Sequence, residues 1–167
     1  MSFIQSGCLE YDELSALQKL PDDERYAKGP VAVIECVQEI PCNPCEAACR
    51  FGAIRVGEPI TNLPALQAEK CVGCGVCVSK CPGLAIVVVN KVFSRTTATV
   101  SFPYEYLPTP VSGEIRRAVN RKGEFICEGT IVKVVNPGSY DHTPVVTIEI
   151  PKQYVDEVRS IERTSAK

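Results

Sequence analysis

The chain has 167 residues, 45% of them apolar and 23% charged, with a formal net charge of −2. That suits one ordinary globular domain or two small ones. It gives no electrostatic case for nucleic acid or for an acidic membrane surface.

The N-terminus, MSFIQSGCLEYDEL, has neither a basic nor an apolar leader region. The longest apolar run, LAIVVV at residues 84–89, is far too short to span a bilayer. A soluble, cytoplasmic chain is expected. The ten cysteines are then expected to bind metal, because clustered thiols in a reducing compartment seldom pair with each other. Residues 10–20, EYDELSALQKL, place Tyr11, Leu14 and Leu17 at helical spacing, and Pro21 ends the run. This segment reads equally as a docking arm or as a helix packed on its own core. DDERYAKG, residues 22–29, reads as a polar connection.

The apolar run VAVIE leads into the first cysteine group, Cys36, Cys42, Cys45 and Cys49, with the unusual spacing C-x5-C-x2-C-x3-C. Asn43-Pro44 has the pattern of a helix N-cap followed by a first-turn proline. The second group, CVGCGVCVSKCP from Cys71 to Pro82, has the spacing C-x2-C-x2-C-x3-C-P of bacterial iron–sulfur proteins. In that pattern the first three thiolates hold three corners of one 4Fe–4S cube, and the fourth ligates a second cube. A zinc site, normally built from two knuckles of two ligands each, fits this run poorly.

The second group needs a counterpart, and the chain contains one. CNPCEAACRFGAIRV at residues 42–56 aligns with CGVCVSKCPGLAIVV at residues 74–88, an internal repeat at an offset of 32. Only the first cysteine is displaced: Glu39 stands where the repeat calls for a thiol, and Cys36 lies three residues earlier. Cys36 is therefore assigned with Cys42, Cys45 and Cys81 to cluster 1, with residues 37–41 bulging as a loop. Cys8, or no thiolate at all, is the alternative at that corner. Cluster 2 is assigned to Cys49, Cys71, Cys74 and Cys77. Gly73 and Gly75 suit tight backbone turns around a cube. Arg50 replaces the proline of the second repeat, either as a cation offsetting cluster charge or as a solvated side chain.

Beyond residue 92 the pattern changes to short strands punctuated by Gly and Pro: TTATVSF, then GEIRRAV, FICEGTIVKVV and VVTIEI. Between the first two, FPYEYLPTP is an extended link whose Tyr104 and Tyr106 are either interface anchors or cover for the strands. A small, SH3-like β-barrel is expected, with Gly129 at a bulge or corner. It closes with a helix in which Tyr154, Val155, Val158 and Ile161 share a face. Cys127 reads as a buried apolar residue and His142 as a solvated loop residue. Arg116, Arg117, Arg121 and Lys122 read as a solvated hairpin rather than an RNA site. No phosphate loop, dinucleotide fingerprint or Ser-His-Asp set is present.

Over roughly residues 30–92 the chain resembles the two-cluster bacterial ferredoxins. The resemblance implies two β-α-β-like halves related by a pseudo-twofold, with Val31–Ile34 and Ala85–Val89 as paired terminal strands. The phrases GPVAVIECVQEIPCNPCEAAC and KCVGCGVCVSKCPGLAIVVVN are further similar to small iron–sulfur subunits of bacterial FAD-dependent dehydrogenases acting on proline, hydroxyproline and similar amino acids. The expected fold is α+β: an N-terminal arm over residues 1–29, a dicluster ferredoxin-like domain over 30–92 and a β-rich module over 93–167. The expected role is a subunit of a hetero-oligomeric oxidoreductase, relaying single electrons through two 4Fe–4S clusters from the flavin of an FAD-bearing partner. No substrate site of its own is expected. The alternatives are a free-standing ferredoxin and a non-redox binding protein with structural clusters.

Overall fold

The computed structural model describes residues 3–163. Three short helices, α1 (Phe3–Ser6), α2 (Tyr11–Ala16) and α3 (Asp23–Ala27), precede strand β1 (Val31–Ile34). Next come α4 (Pro44–Ala48), a small ladder of β2 (Ile54–Arg55) with β3 (Ala65–Leu66), then α5 (Val76–Lys80) and β4 (Ile86–Asn90). The C-terminal strands are β5 (Thr97–Pro103), β6 (Ile115–Val119), β7 (Phe125–Val135), β8 (Val145–Pro151) and β9 (Ser160–Ile161). The fold thus mixes short helices with a mostly antiparallel sheet.

One seven-stranded sheet runs through the chain in the order β1-β4-β5-β8-β7-β6-β9. Its first pair has the terminal strands in antiparallel register, Val31 opposite Val89 and Ile34 opposite Ile86. Strand β4 then pairs on its other edge with β5, Val88 opposite Ser101. The expected boundary at residues 92/93 therefore falls in a turn, and the ladder carries across it. The strands expected to form a small barrel-like module lie in the same sheet as β1 and β4.

The near-continuous apolar runs of β1 and β4 follow from burial of both faces. Ala32, Ile34, Ile86 and Val88 face the cysteine-bearing side, where they pack with Ile54, Val56 and Val78. Val31, Val33, Val87 and Val89 face the opposite core, with Val100, Phe102, Ile131, Ile148 and Ile150. Cys127 belongs to that second core and is 8% exposed. Gly129 marks a close approach rather than a bulge. A Cβ there would lie 2.7 Å from the Glu149 carbonyl oxygen, while the irregularities of β6–β7 and β7–β8 fall at Ala118/Val119 and Ile131/Lys133.

The flanks depart from expectation in two places. Residues 22–29 are not merely a polar link. The Asp22 carboxylate caps α3 by accepting the Arg25 N–H at 2.7 Å, and the helix buries Arg25 and Tyr26. At the C-terminus, the expected helical face is buried at Val155, Val158 and Ile161, but a 3-10 turn at Lys152–Tyr154 replaces the helix. The chain then joins β6, with Ala118 opposite Ile161, and the Arg159 N–H donates to the Val119 carbonyl at 2.9 Å. The open edge of β6 supplies backbone partners for groups that a short helix would leave unpaired at its ends.

Helix α2 packs inward through Leu14, which is fully buried, while Tyr11 and Leu17 stay exposed. The Glu13 carboxylate accepts the N–H groups of Phe3 (2.9 Å) and Glu10 (3.0 Å), and these bonds hold its pKa below the usual carboxylate range. A depressed folded-state pKa gives stabilisation that is present above the unfolded value and lost as pH falls through the folded one. Amide exchange at Phe3 and Glu10 is therefore expected to accelerate, relative to the sheet, as the pH is lowered through the Glu13 titration. Glu13→Gln should show the fast exchange already at neutral pH. Equal exchange in both proteins at pH 7 would refute the role given to the carboxylate.

Candidate metal centre

The eight cysteines of the two repeats sort into two recesses on the same side of β1 and β4. One is lined by Cys49, Cys71, Cys74 and Cys77, with Phe51, Val72 and Val88 among its walls. The other is lined by Cys36, Cys42, Cys45 and Cys81, with Ile34, Pro64 and Ile86. Each recess takes three cysteines from one motif and one from the other. Cys36 stands at the end of β1 and completes the second recess, whereas Glu39, where the repeat would place a thiol, does not line it. Cys8 borders a separate recess with Glu10, Asn120 and Arg121.

The crossing has a local cause. Cys45 and Cys49 are four residues apart, as are Cys77 and Cys81, and would share a face on a continuing helix. Both helices stop first. Cys49 has φ −82°, ψ 94° and Cys81 has φ −81°, ψ 109°, both extended. The last thiol of each helix is thereby swung away from the thiol inside it. Repeat symmetry extends to the sulfurs' hydrogen bonds: the Ala53 N–H donates to Cys49 Sγ at 3.2 Å, and the Ala85 N–H donates to Cys81 Sγ at 3.4 Å. The Ala32 N–H donates to Cys71 Sγ, also at 3.4 Å.

Glycine is required at one turn of the second motif. Gly73 has φ +65°, and a Cβ there would sit 2.5 Å from Pro30 Cβ and 2.8 Å from its carbonyl carbon. Arg50 is exposed beside Cys49.

The donor set fits an iron–sulfur cluster. Soft thiolates with backbone N–H donors and apolar walls are the ligation such clusters use. Among the described residues no three His, Cys, Asp or Glu side chains converge closely enough to hold a single metal ion. Without metal, burial and then the neighbouring Cys71, Cys74 and Cys49 thiols push Cys77 up to about 12. Burial and then Cys81 push Cys45 up to about 11. Such thiols become ligands only by releasing protons to the incoming group.

Next to Cys36 lies a largely buried ionic cluster that sequence reading did not anticipate. The Glu35 carboxylate accepts two hydrogen bonds from Arg121, at 2.6 and 2.8 Å, and one from Arg159 at 2.7 Å. Burial pushes the Glu35 pKa up, but the two guanidinium groups outweigh it and leave the carboxyl below its usual range. Arg121 is thus a bridge from the β6–β7 turn to the cysteine loop, not a solvated residue. Its neighbours are also paired: Arg117 with Glu162 and over the Phe125 ring, Arg116 with Glu114, and Lys122 with Glu10. His142 is exposed, Tyr104 is buried in the core, and Tyr106 packs edge-on against it at 5.7 Å.

Residues 64–87 match the family described as 4Fe-4S binding domain, and this segment is accordingly a ferredoxin-type 4Fe–4S binding one. The chain is 32% identical over 134 residues to the translation initiation factor rli1 of Schizosaccharomyces pombe, covering 66% of this chain and 22% of that protein. It is 30% identical over 89 residues to an uncharacterized ferredoxin of Methanocaldococcus jannaschii, covering 52% of this chain and 55% of that one. It is 44% identical over 47 residues to one subunit of the Na(+)-translocating ferredoxin:NAD(+) oxidoreductase complex of Acetobacterium woodii, covering 28% and 14%. The chain thus spans about a fifth of the length of the longer curated relatives it matches. No solved structure gives a significant match. No helix among the described residues is long and apolar enough to cross a membrane.

Proposed function

We propose that the chain is an electron-transfer subunit holding two 4Fe–4S clusters, one on Cys36, Cys42, Cys45 and Cys81 and the other on Cys49, Cys71, Cys74 and Cys77. The observation that carries this reading is the sorting of eight thiols into two four-thiol recesses, each borrowing one cysteine from the opposite motif. When bound, such clusters supply reversible one-electron transfer. The chain's own contribution is to hold them: N–H groups of Ala32, Ala53 and Ala85 stabilise sulfur charge, apolar walls limit water, and the α4–α5 pair fixes the spacing.

Membership of a larger redox complex is supported by the likeness to a component of an oxidoreductase complex. The partner we favour is an FAD-dependent, amino-acid-type dehydrogenase, on the phrases GPVAVIECVQEIPCNPCEAAC and KCVGCGVCVSKCPGLAIVVVN. A flavin reduced by electron pairs needs a one-electron relay. Residues 1–29, with Tyr11 and Leu17 exposed on α2, serve as the docking arm in this reading. Residues 30–92 form the dicluster domain, and residues 93–167 the module that buttresses Cys36.

A second reading, a non-redox binding protein with structural clusters, is favoured by the longer match to a protein named as a translation initiation factor. The test is native, oxygen-free purification of the full chain. Expected are about eight irons per chain, reversible reduction without iron loss, and a co-eluting flavoprotein. Iron lost on reduction favours the structural-cluster reading. A clean monomer that reduces several acceptors favours a free ferredoxin. One tightly held zinc and no iron would reject the cluster assignment altogether.

A further inference from the structure

We infer that Arg25 is the counter-charge of the recess formed by Cys49, Cys71, Cys74 and Cys77, both fixing the Cys71 loop and raising the reduction potential of the cluster bound there. The inference rests on the two-cluster reading. Arg25 is only 4% exposed. Its Nε donates to the Ala68 carbonyl at 2.7 Å, Nη1 to Gly29 at 3.2 Å, and Nη2 to Pro30 at 2.9 Å and to Cys71 at 2.5 Å. Every acceptor is a neutral backbone carbonyl. Among the described residues no carboxylate forms an ion pair with this guanidinium. The nearby Asp22 carboxylate is engaged with the Arg25 backbone N–H.

The contrast with the other buried arginine is informative. Arg159, 9% exposed, is matched by Glu35. A buried cation without an anion is costly and is retained where something else supplies the negative charge. The segments that Arg25 ties together meet at one wall of that recess. Cys71 lines it, Pro30 packs under Gly73 of the same loop, and Ala32 follows Pro30 and donates to the Cys71 sulfur. None of the four residues whose carbonyls it holds lines the other recess.

A 4Fe–4S cube on four thiolates carries about −2 when oxidised and one unit more when reduced. A fixed, buried cation beside one ligand favours the reduced form more than the oxidised one. The sequence signal was present but quiet: Asp22 as N-cap and acidic residues at Asp23 and Glu24 mark a helix start, which places Arg25 on a structured turn.

The test is an anaerobic redox titration of the full chain, followed by electron paramagnetic resonance to separate the two clusters. Arg25→Gln retains amide donors without charge, and Arg25→Lys retains charge without the planar fork. In Arg25→Gln the reduction equilibrium of one cluster is expected to fall about tenfold, a shift of about 59 mV for one electron, with the other cluster within about twofold of wild type. Arg25→Lys should stay within about threefold of wild type at both clusters. Full iron with unchanged potentials in Arg25→Gln overturns the inference. So does an equal fall in Arg25→Lys, which would assign the effect to loop geometry. Should Arg25→Gln fail to hold iron, Arg25→Lys decides alone: a near wild-type potential supports the inference and a tenfold fall overturns it. Wild-type chain without iron at these cysteines overturns the two-cluster reading, and this inference with it.

Discussion

Replacing Cys36 by serine is expected to remove one of two clusters or convert it to a three-iron form, taking iron from about eight to about four or about seven per chain. The side chain lines the recess it would share with Cys42, Cys45 and Cys81, and no fifth cysteine lines that recess. Cys8 opens toward Asn120 and Arg121 instead, and Glu39 offers a hard carboxylate where a soft thiolate is needed. Cys127→Ser is the matched control. Its side chain belongs to the second core and lines neither recess, so iron content should not change. Oxygen-free iron and sulfide analysis, with the spectrum of the reduced protein, reads both variants. Unaltered iron in Cys36→Ser would remove Cys36 from the ligand set, and loss of iron in Cys127→Ser would show that the second core feeds the site.

Glu35→Ala is expected to produce the largest loss of stability, on the order of 3–5 kcal/mol, the usual cost of leaving buried charge without its partner. Here two guanidinium groups lose it at once. The side chains of Arg121 and Arg159 are 12% and 8% exposed, so water cannot easily replace the carboxylate. A loss of that size is a large share of the roughly 5–15 kcal/mol that holds a domain together. Glu35→Gln keeps an acceptor of the same shape and should fall in between. Since Cys36 is the next residue, iron release from its recess should accelerate in step with the destabilisation. Chemical denaturation of the variants, with release of iron to a chelator followed in parallel, checks both statements. A change of less than about 1 kcal/mol in Glu35→Ala would mean that the network behaves as a surface ion pair.

The sorting of eight cysteines into two recesses was legible because its information is local. Spacings of two and three residues dictate which thiols can reach one side of a short helix, and the offset of 32 between the repeats exposes the missing partner. Strand β1, strand β4 and the strands beyond residue 96 were legible for the same reason, as runs of apolar or alternating residues that suit a sheet. The elements that were misread are those where a local pattern had two physical outlets. Val155, Val158 and Ile161 suit a helical face and are buried, but the open edge of β6 drew the chain into the sheet instead. DDERYAKG looked like a solvated link because its charges dominate its composition. The Asp22 cap and the buried carbonyls around Arg25 make it a helix instead.

From sequence alone came the thiol inventory, its twofold repeat and the strands that carry it, because each depends on residues close together in the chain. Tertiary structure alone decided that one sheet joins the cysteine-bearing half to the C-terminal strands, that Glu35 is clamped from 86 and 124 residues away, and that Arg25 is buried among carbonyls. Those outcomes depend on where charges and backbone groups lose their water, and desolvation is a property of the folded surroundings that no spacing in the chain encodes.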